Sequence, residues 1–251
     1  MTQQTLTRLR HLKLTGMADA VQQQLEQAST YEGLPFIERL SLLVEHEQLS
    51  REQRKQARLV KQARLKLQAT VQEVDYQSAR NLERSQVANL AQGEWLRRGQ
   101  NLLITAPCGC GKTYLACALG YQACQQGHST RYYRLPRLLL ELSQAKVDGS
   151  YARLLGQLAR IELLILDDWG LEAVNAEQRN ALLEIMDDRY GKYSTIVVSQ
   201  LPTEEWYASL GDNTLADAIL DRLMHNAHRL SLKGESMRKR RSELTQSEHS
   251  S

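Results

Sequence analysis

One stretch constrains what this chain can fold into more than any other. Residues 101–120 read NLLITAPCGCGKTYLACALG. Leu102, Leu103 and Ile104 form a short apolar run, the pattern of a buried strand. A turn of small residues follows, and an apolar-periodic helix begins at Lys112. Strand, tight turn and helix in that order bring the backbone N–H groups of the turn and of the helix N-terminus around one point, which suits an anion. The run Ala106-Pro107-Cys108-Gly109-Cys110-Gly111-Lys112-Thr113 departs from G-x-x-x-x-G-K-[ST] only at Ala106, which stands at the first glycine. A methyl group fits there if Ala106 keeps φ negative. In this pattern the lysine reaches the β- and γ-phosphates and the Thr113 hydroxyl takes a Mg²⁺ position. Residues Ala106 to Tyr114 are therefore expected to hold a nucleotide with Mg²⁺, on a solvent-facing loop from which removal of the Lys112 charge should cost little stability.

With 251 residues the chain has room for one large domain and a smaller one. A net charge of +3 is too mild to argue for a polyanionic partner, so any such case rests on where the charge sits. No apolar run approaches a membrane span, and the opening MTQQTLTRLR lacks a signal-peptide core, so a cytoplasmic protein without a membrane partner is expected. Cys108, Cys110, Cys117 and Cys124 fall close together, two in the phosphate loop and two on its helix. Metal-bound thiolates would spoil an anion site, so these read as reduced thiols acting as small side chains.

Residues 1–68 have helical spacing, interrupted at Gly33 and Pro35. On a wheel of about 100° per residue, Arg51, Arg54, Lys55, Arg58 and Lys66 share an arc of about 120°, with Lys61 beside it. Glu52 is the only acid between Ser50 and Gln68, which points to contact with a DNA backbone over a solvated face of mixed sign. Residues 69–100 read as a connector with one helix over 85–98. Beyond the phosphate-loop helix, which is expected to stop at Gly127, come a strand over Thr130–Arg134 and two helices, from Pro136 and over 150–160. A continuous apolar run over Ile161–Leu166 follows, ending in Asp167-Asp168. Asn175 with Gln178 marks a helix start, and Thr195–Val198 is a further buried strand ending in Ser199-Gln200. Two short helices and a last strand over His228–Leu232 precede a polar tail.

Strands alternating with helices predict an α/β fold with a parallel sheet, doubly wound, whose ligands bind beyond the carboxyl ends of the strands. The phosphate loop, Asp167-Asp168 and Ser199-Gln200 all follow strands, so they are expected to share one crevice. Asp167 has the setting of a carboxylate that holds Mg²⁺, and Asp168 is placed to polarise an attacking water. Ser199-Gln200 either orients that water or is a polar strand end. Arg222 and Arg238 are the candidates for a second cation at the γ-phosphate; Arg222 would equally suit an ion pair with Asp217 or Asp221.

The segments GCGKTYLACALG, YRLPRLLLEL, LLILDDWGLE, VVSQLP and TLADAILDRLMHNAHRLSLKGESMRK closely resemble the IstB-like AAA+ ATPases, transposition helper proteins of bacterial insertion sequences related to DnaC and DnaA. RLRHLKLTGMADAV and the basic helix resemble that family's N-terminal domain. The resemblance implies a P-loop NTPase domain of AAA+ type over 101–240, a small all-helical DNA-binding and assembly domain over 1–68, a connector over 69–100 and a disordered tail over 241–251. It implies ATP and Mg²⁺ as cofactors, with Lys112 and Thr113 as Walker A residues, Asp167 and Asp168 as Walker B acids and Gln200 as sensor 1. Arg222 would be a finger acting on a neighbour's ATP, and Arg238 the sensor-2 arginine. The helical pair between Pro136 and Arg160 would line a DNA path, with Arg134, Arg137 and Lys146 as phosphate contacts. Duplex DNA, copies of the same chain and a cognate transposase are the implied partners. Asp168 stands where most AAA+ proteins have glutamate, which implies slow hydrolysis. Two other readings stay open at this point: a helicase loader whose N-terminal domain grips a helicase, and a scaffold that binds ATP without turnover.

Overall fold

The computed structural model describes residues 2–76, 81–211 and 213–234, so Arg238 and the expected tail lie outside the described residues. The chain divides into two units, Met1–Arg58 and Leu59–Ser251.

The first unit is helical, with α1 (Thr2–His11), α2 (Thr15–Glu26), α3 (Ala28–Tyr31) and α4 (Phe36–Ala63), whose residues from Leu59 onward belong to the second unit. Gly16 lets α2 lie directly on α4. A Cβ there would stand 2.7 Å from Ser50 Cβ and 2.9 Å from the His46 carbonyl oxygen, distances no side chain tolerates. The next residue, Met17, donates its backbone N–H to Glu47 Oε2 at 3.0 Å. Helix α4 stops at Ala63, and Arg64 takes a left-handed φ of 50°. Lys66 therefore leaves the basic helix face on which the wheel places it.

In the second unit α5 (Arg84–Ala91) and α6 (Glu94–Arg97) are separate helices, divided at the left-handed Gly93, where a single helix over 85–98 is expected from sequence. There follow β1 (Asn101–Thr105), α7 (Lys112–Gln125), β2 (Thr130–Arg134), α8 (Leu135–Val147), α9 (Tyr151–Arg160), β3 (Leu163–Trp169), α10 (Ala176–Arg189), β4 (Ser194–Ser199), α11 (Trp206–Leu210), α12 (Asn213–Met224) and β5 (Ala227–Ser231). Among the described residues the five strands form one parallel sheet in the order β2-β3-β4-β1-β5. Its central strands are apolar on both faces because both are covered. Leu102, Ile104, Leu163, Ile165, Ile196 and Val198 pack with α5, α6 and α7 on one side. Leu103, Leu164, Leu166 and Val197 pack with α8, α9, α10, α11 and α12 on the other.

Strand β3 begins two residues later than the apolar run and continues through both acids. Its pairing with β4 slips by one residue between Leu166 and Trp169, a bulge centred on Asp168, whose φ is 63°. Helix α10 starts on a reciprocal cap in which Asn175 Oδ1 accepts from the Gln178 N–H at 2.9 Å.

At the far end of α10, Arg189 is fully buried. It donates to the carbonyls of Leu158, Ile161 and Ser194 and to Thr195 Oγ1, stitching α9, β4 and α10 together with no carboxylate partner among the described residues. Arg189→Met should lower the unfolding free energy in urea by about 3 kcal/mol, because the buried carbonyls lose their donors. A loss below about 1 kcal/mol would mean that water or the backbone replaces those bonds.

Candidate active site

A cleft of about 550 Å³ opens beyond the carboxyl ends of the strands, walled by Gly109, Gly111, Lys112, Thr113, Asp167, Asp168 and Gln200 among others. The phosphate loop builds its floor. Gly109 and Gly111 take φ of 86° and 85°, while Ala106 keeps out of the left-handed region, so the missing first glycine costs the loop nothing. Lys112 is buried, although the loop that carries it is expected to face solvent. Its Nζ donates to the carbonyls of Ala106 at 2.7 Å and Pro107 at 2.8 Å. Burial pushes the Lys112 ammonium down from its ordinary value, opposed by Cys110, Cys108, Asp167 and Asp168.

Asp167 is the most enclosed acid of the cleft. Its Oδ2 accepts from Thr113 Oγ1 at 2.8 Å and from the Tyr132 hydroxyl at 2.6 Å, and its Oδ1 accepts the Asp168 N–H at 2.9 Å. Burial, then the bond to Asp167, pushes the Tyr132 hydroxyl well above the ordinary phenol range, so it stays a donor. A hydroxyl and a carboxylate side by side at the mouth of a phosphate loop form the hard-oxygen pair that suits Mg²⁺. Asp168 accepts from Arg134 Nε at 2.5 Å, and that bond raises the guanidinium's pKa.

Tyr132, Glu73 and Lys66 are not apparent as residues of this site from sequence. Tyr132 reads only as one member of an alternating strand. Its position follows from the parallel register that sets Tyr132 beside Ile165 and Arg134 beside Asp167. Glu73 accepts from the Tyr114 hydroxyl at 3.2 Å, and Lys66 Nζ stands 3.9 Å from Asp167 Oδ2. Ser199 is buried and donates its hydroxyl to the Trp169 carbonyl, which makes it a pin for the bulged end of β3. Among the thiols, burial pushes Cys117 and Cys124 up, and Cys110 Sγ donates to the Gly234 carbonyl.

The chain matches the family described as IstB-like ATP binding protein over residues 7–245. It belongs to that family. An insertion sequence ATP-binding protein of Sinorhizobium fredii, y4pL, is 48% identical over 94% of this chain and 96% of its own length. The ATP-binding protein of insertion sequence IS21 from Pseudomonas aeruginosa is 36% identical over 92% of this chain and 86% of its own. In fold, the IstB-like chain is similar to the DnaC helicase loader, with a TM-score of 0.57, 20% identity, and coverage of 66% of this chain and 97% of that one. AMPPCP-bound DnaA from Aquifex aeolicus gives a TM-score of 0.58 at 17% identity, covering 70% of this chain and 53% of that one. The second unit thus has the AAA+ P-loop fold.

Of the other residues singled out in this IstB-like chain, Gln200 lines the cleft and is exposed. Arg222 is outside it, in a hollow with Gly99, Asn101 and Thr195 at the amino ends of β1 and β4. Its ion-pair partner is Asp187, at 2.5 Å, and neither Asp217 nor Asp221. On α4, Arg51 pairs with Glu47 at 2.6 Å and Arg54 with the same carboxylate at 3.5 Å. Lys55, Arg58 and Lys61 are exposed, as is Arg137. Lys146 pairs with Glu177 at 3.2 Å and lies over the Tyr151 ring. No helix among the described residues is long and apolar enough to cross a membrane.

Lys112→Ala should abolish nucleotide binding, measured with a fluorescent ATP analogue. Because the ammonium is buried on two carbonyls, the same change should cost about 1 kcal/mol in unfolding free energy. Unchanged ATP affinity would remove this loop from the site.

Proposed function

We propose that the protein is a Mg²⁺-dependent ATPase that assembles with copies of itself on duplex DNA and assists the transposase of its insertion sequence in selecting target DNA. The carrying observation is the junction of the phosphate loop with Thr113, Asp167 and Asp168 in a chain of the IstB-like family. In this reading Lys112 leaves the loop carbonyls for the β- and γ-phosphates, and Thr113 and Asp167 hold Mg²⁺, which supplies charge neutralisation when bound. Asp168 takes the proton of the attacking water, with Gln200 orienting that water. Arg134 holds Asp168 until it is drawn away, which suits a site that idles before assembly. Hydrolysis of this kind is positioning and electrostatics around a loose transition state, with little covalent work for the protein. Arg222 completes the site of a neighbouring copy, and Arg238 contributes the last cation.

The N-terminal unit is the DNA-binding and assembly domain in this reading, supported by the basic residues of α4. The likeness to DnaC favours the helicase-loader alternative only at the level of fold; the family match favours transposition.

DNA affinity should fall steeply with salt and depend little on sequence. Lys55→Glu and Arg58→Glu should each flatten the log–log salt slope by about one unit, and Arg51 and Arg54 by less, since Glu47 already compensates them. A slope unmoved by Lys55→Glu and Arg58→Glu together would return α4 to the role of a solvated helix.

Arg222→Ala should bind ATP but lose turnover by on the order of 10³ or more, while Lys112→Ala loses both. Mixed, the first supplies intact pockets and the second intact fingers, so part of the ATPase rate should return. A mixture that exchanges subunits and stays inactive would leave Arg222 with only its Asp187 pair.

A further inference from the structure

The segment joining α4 to α5 is built into the wall of the cleft. Leu59 and Ala63, on the last turns of α4, pack against Cys124 of α7, and Arg131 on β2 donates to the Gln62 carbonyl at 2.8 Å. The chain then turns at Arg64. Leu65 lies against Gly120, where a Cβ would stand 3.0 Å from its Cδ2. Ala69 and Val74 are buried in the core on the α7 side of the sheet, Tyr114 holds Glu73, and Asn81 donates to the Ser231 carbonyl on β5. The segment is thereby anchored at the β2 edge and again at the β5 edge, and Lys66, Leu67, Glu73 and Asp75 line the cleft between those anchors.

Three cations of this cleft have distinct seats. Lys112 rests on loop carbonyls, Arg134 on Asp168, and Lys66 faces Asp167. At 3.9 Å the Lys66 ammonium is beyond hydrogen-bond reach, so it offsets the buried carboxylate's charge without taking one of its lone pairs. Thr113, Tyr132 and the Asp168 N–H take three of its four lone pairs. We propose that Lys66 is a positioning residue of the nucleotide site, a resident counter-charge for Asp167 that sets the Mg²⁺ concentration at which the site loads. The inference rests on the nucleotide-site reading above. A single positive charge beside Asp167 stabilises the carboxylate while no divalent ion is there, and the same charge opposes the entry of a divalent ion. On a segment anchored at both edges of the sheet, Lys66 cannot drift far from the acid. It also adds positive charge to a cleft that takes up a polyanion.

The test uses the full chain, a fluorescent ATP analogue and a Mg²⁺ titration at constant ionic strength, with Lys66→Met, Lys66→Arg and Lys112→Ala. Met keeps most of the side-chain stem and removes the charge; Arg keeps the charge. Lys66→Met should lower the half-saturating Mg²⁺ concentration by about tenfold and weaken binding in EDTA by about threefold, with Lys66→Arg close to wild type in both. None of these readouts depends on turnover. A Mg²⁺ midpoint unmoved in Lys66→Met, with wild type binding nucleotide normally, overturns the role of Lys66 alone. Equal shifts in Lys66→Met and Lys66→Arg also overturn it, since charge would then not be the cause. A wild-type chain that binds no better than Lys112→Ala overturns the nucleotide-site reading and this inference with it.

Discussion

A carboxylate buried at the end of a sheet is costly unless its oxygens are occupied, and the Asp167 carboxylate is almost wholly out of water. The groups that satisfy it come from separate elements: Thr113 from the first turn of α7, Tyr132 from β2, the Asp168 N–H from the bulge in β3, and the Lys66 charge from the segment after α4. Each of those elements must therefore hold its register for the acid to be tolerated. A one-residue slip of β2 would turn Tyr132 to the opposite face and leave Asp167 Oδ2 short of a donor. The residue best placed to hold a metal ion is thus also the residue that ties the edge strand and the phosphate-loop helix to the centre of the sheet.

The bulge explains how two adjacent acids come to serve one cleft. On a regular strand Asp167 and Asp168 would project to opposite faces. The extra residue, with Asp168 at a φ of 63°, breaks that alternation at the strand's end, so both acids line the same opening. Aspartate is one of the few residues that enter the left-handed region at modest cost, and its short side chain keeps the Arg134 bond. A glutamate at this position would need a differently placed partner. The aspartate and the bulge belong together.

What was legible in the sequence follows from where burial writes a pattern. The central strands are apolar on both faces, so Leu102–Ile104, Leu163–Leu166 and Ile196–Val198 stand out as runs, and the phosphate loop announces itself by its glycines. The capping pair of Asn175 and Gln178 is local and readable for the same reason. The contacts across elements were not. The wheel carried Lys66 onto the basic face because nothing in ARLKLQ signals that the helix ends at Ala63 and turns at Arg64. It also missed Glu47, one turn before its first basic residue, which draws Arg51 and Arg54 to itself. Arg222 suggested partners on its own helix, because those acids are near it in sequence; Asp187 on α10 cannot be found that way. The resemblance implies Arg134 as a phosphate contact, and its bond to Asp168 follows only from the β2–β3 pairing.

The position of Arg222 bears on assembly. The cleft lies at the carboxyl ends of the strands, whereas Arg222 lies with Asn101 and Thr195 at the amino ends of β1 and β4. An arginine so placed cannot complete the phosphate site of its own chain without a change of fold. In the proposed function it meets the cleft of the next copy, and the two surfaces that meet are different ones. Such an interface is head-to-tail, so it closes into a ring or continues as a helix around DNA according to the rotation between neighbours. The Asp187 pair is little obstacle to this. Its carboxylate side chain is 61% exposed, and an ion pair in contact with water contributes little net stability. A triphosphate offers the same guanidinium more charge and several acceptor oxygens, in a cleft from which assembly would exclude water. In the proposed function, exchange of Asp187 for a neighbour's γ-phosphate would therefore favour the assembled, ATP-bound form, and loss of the γ-phosphate on hydrolysis would remove that preference.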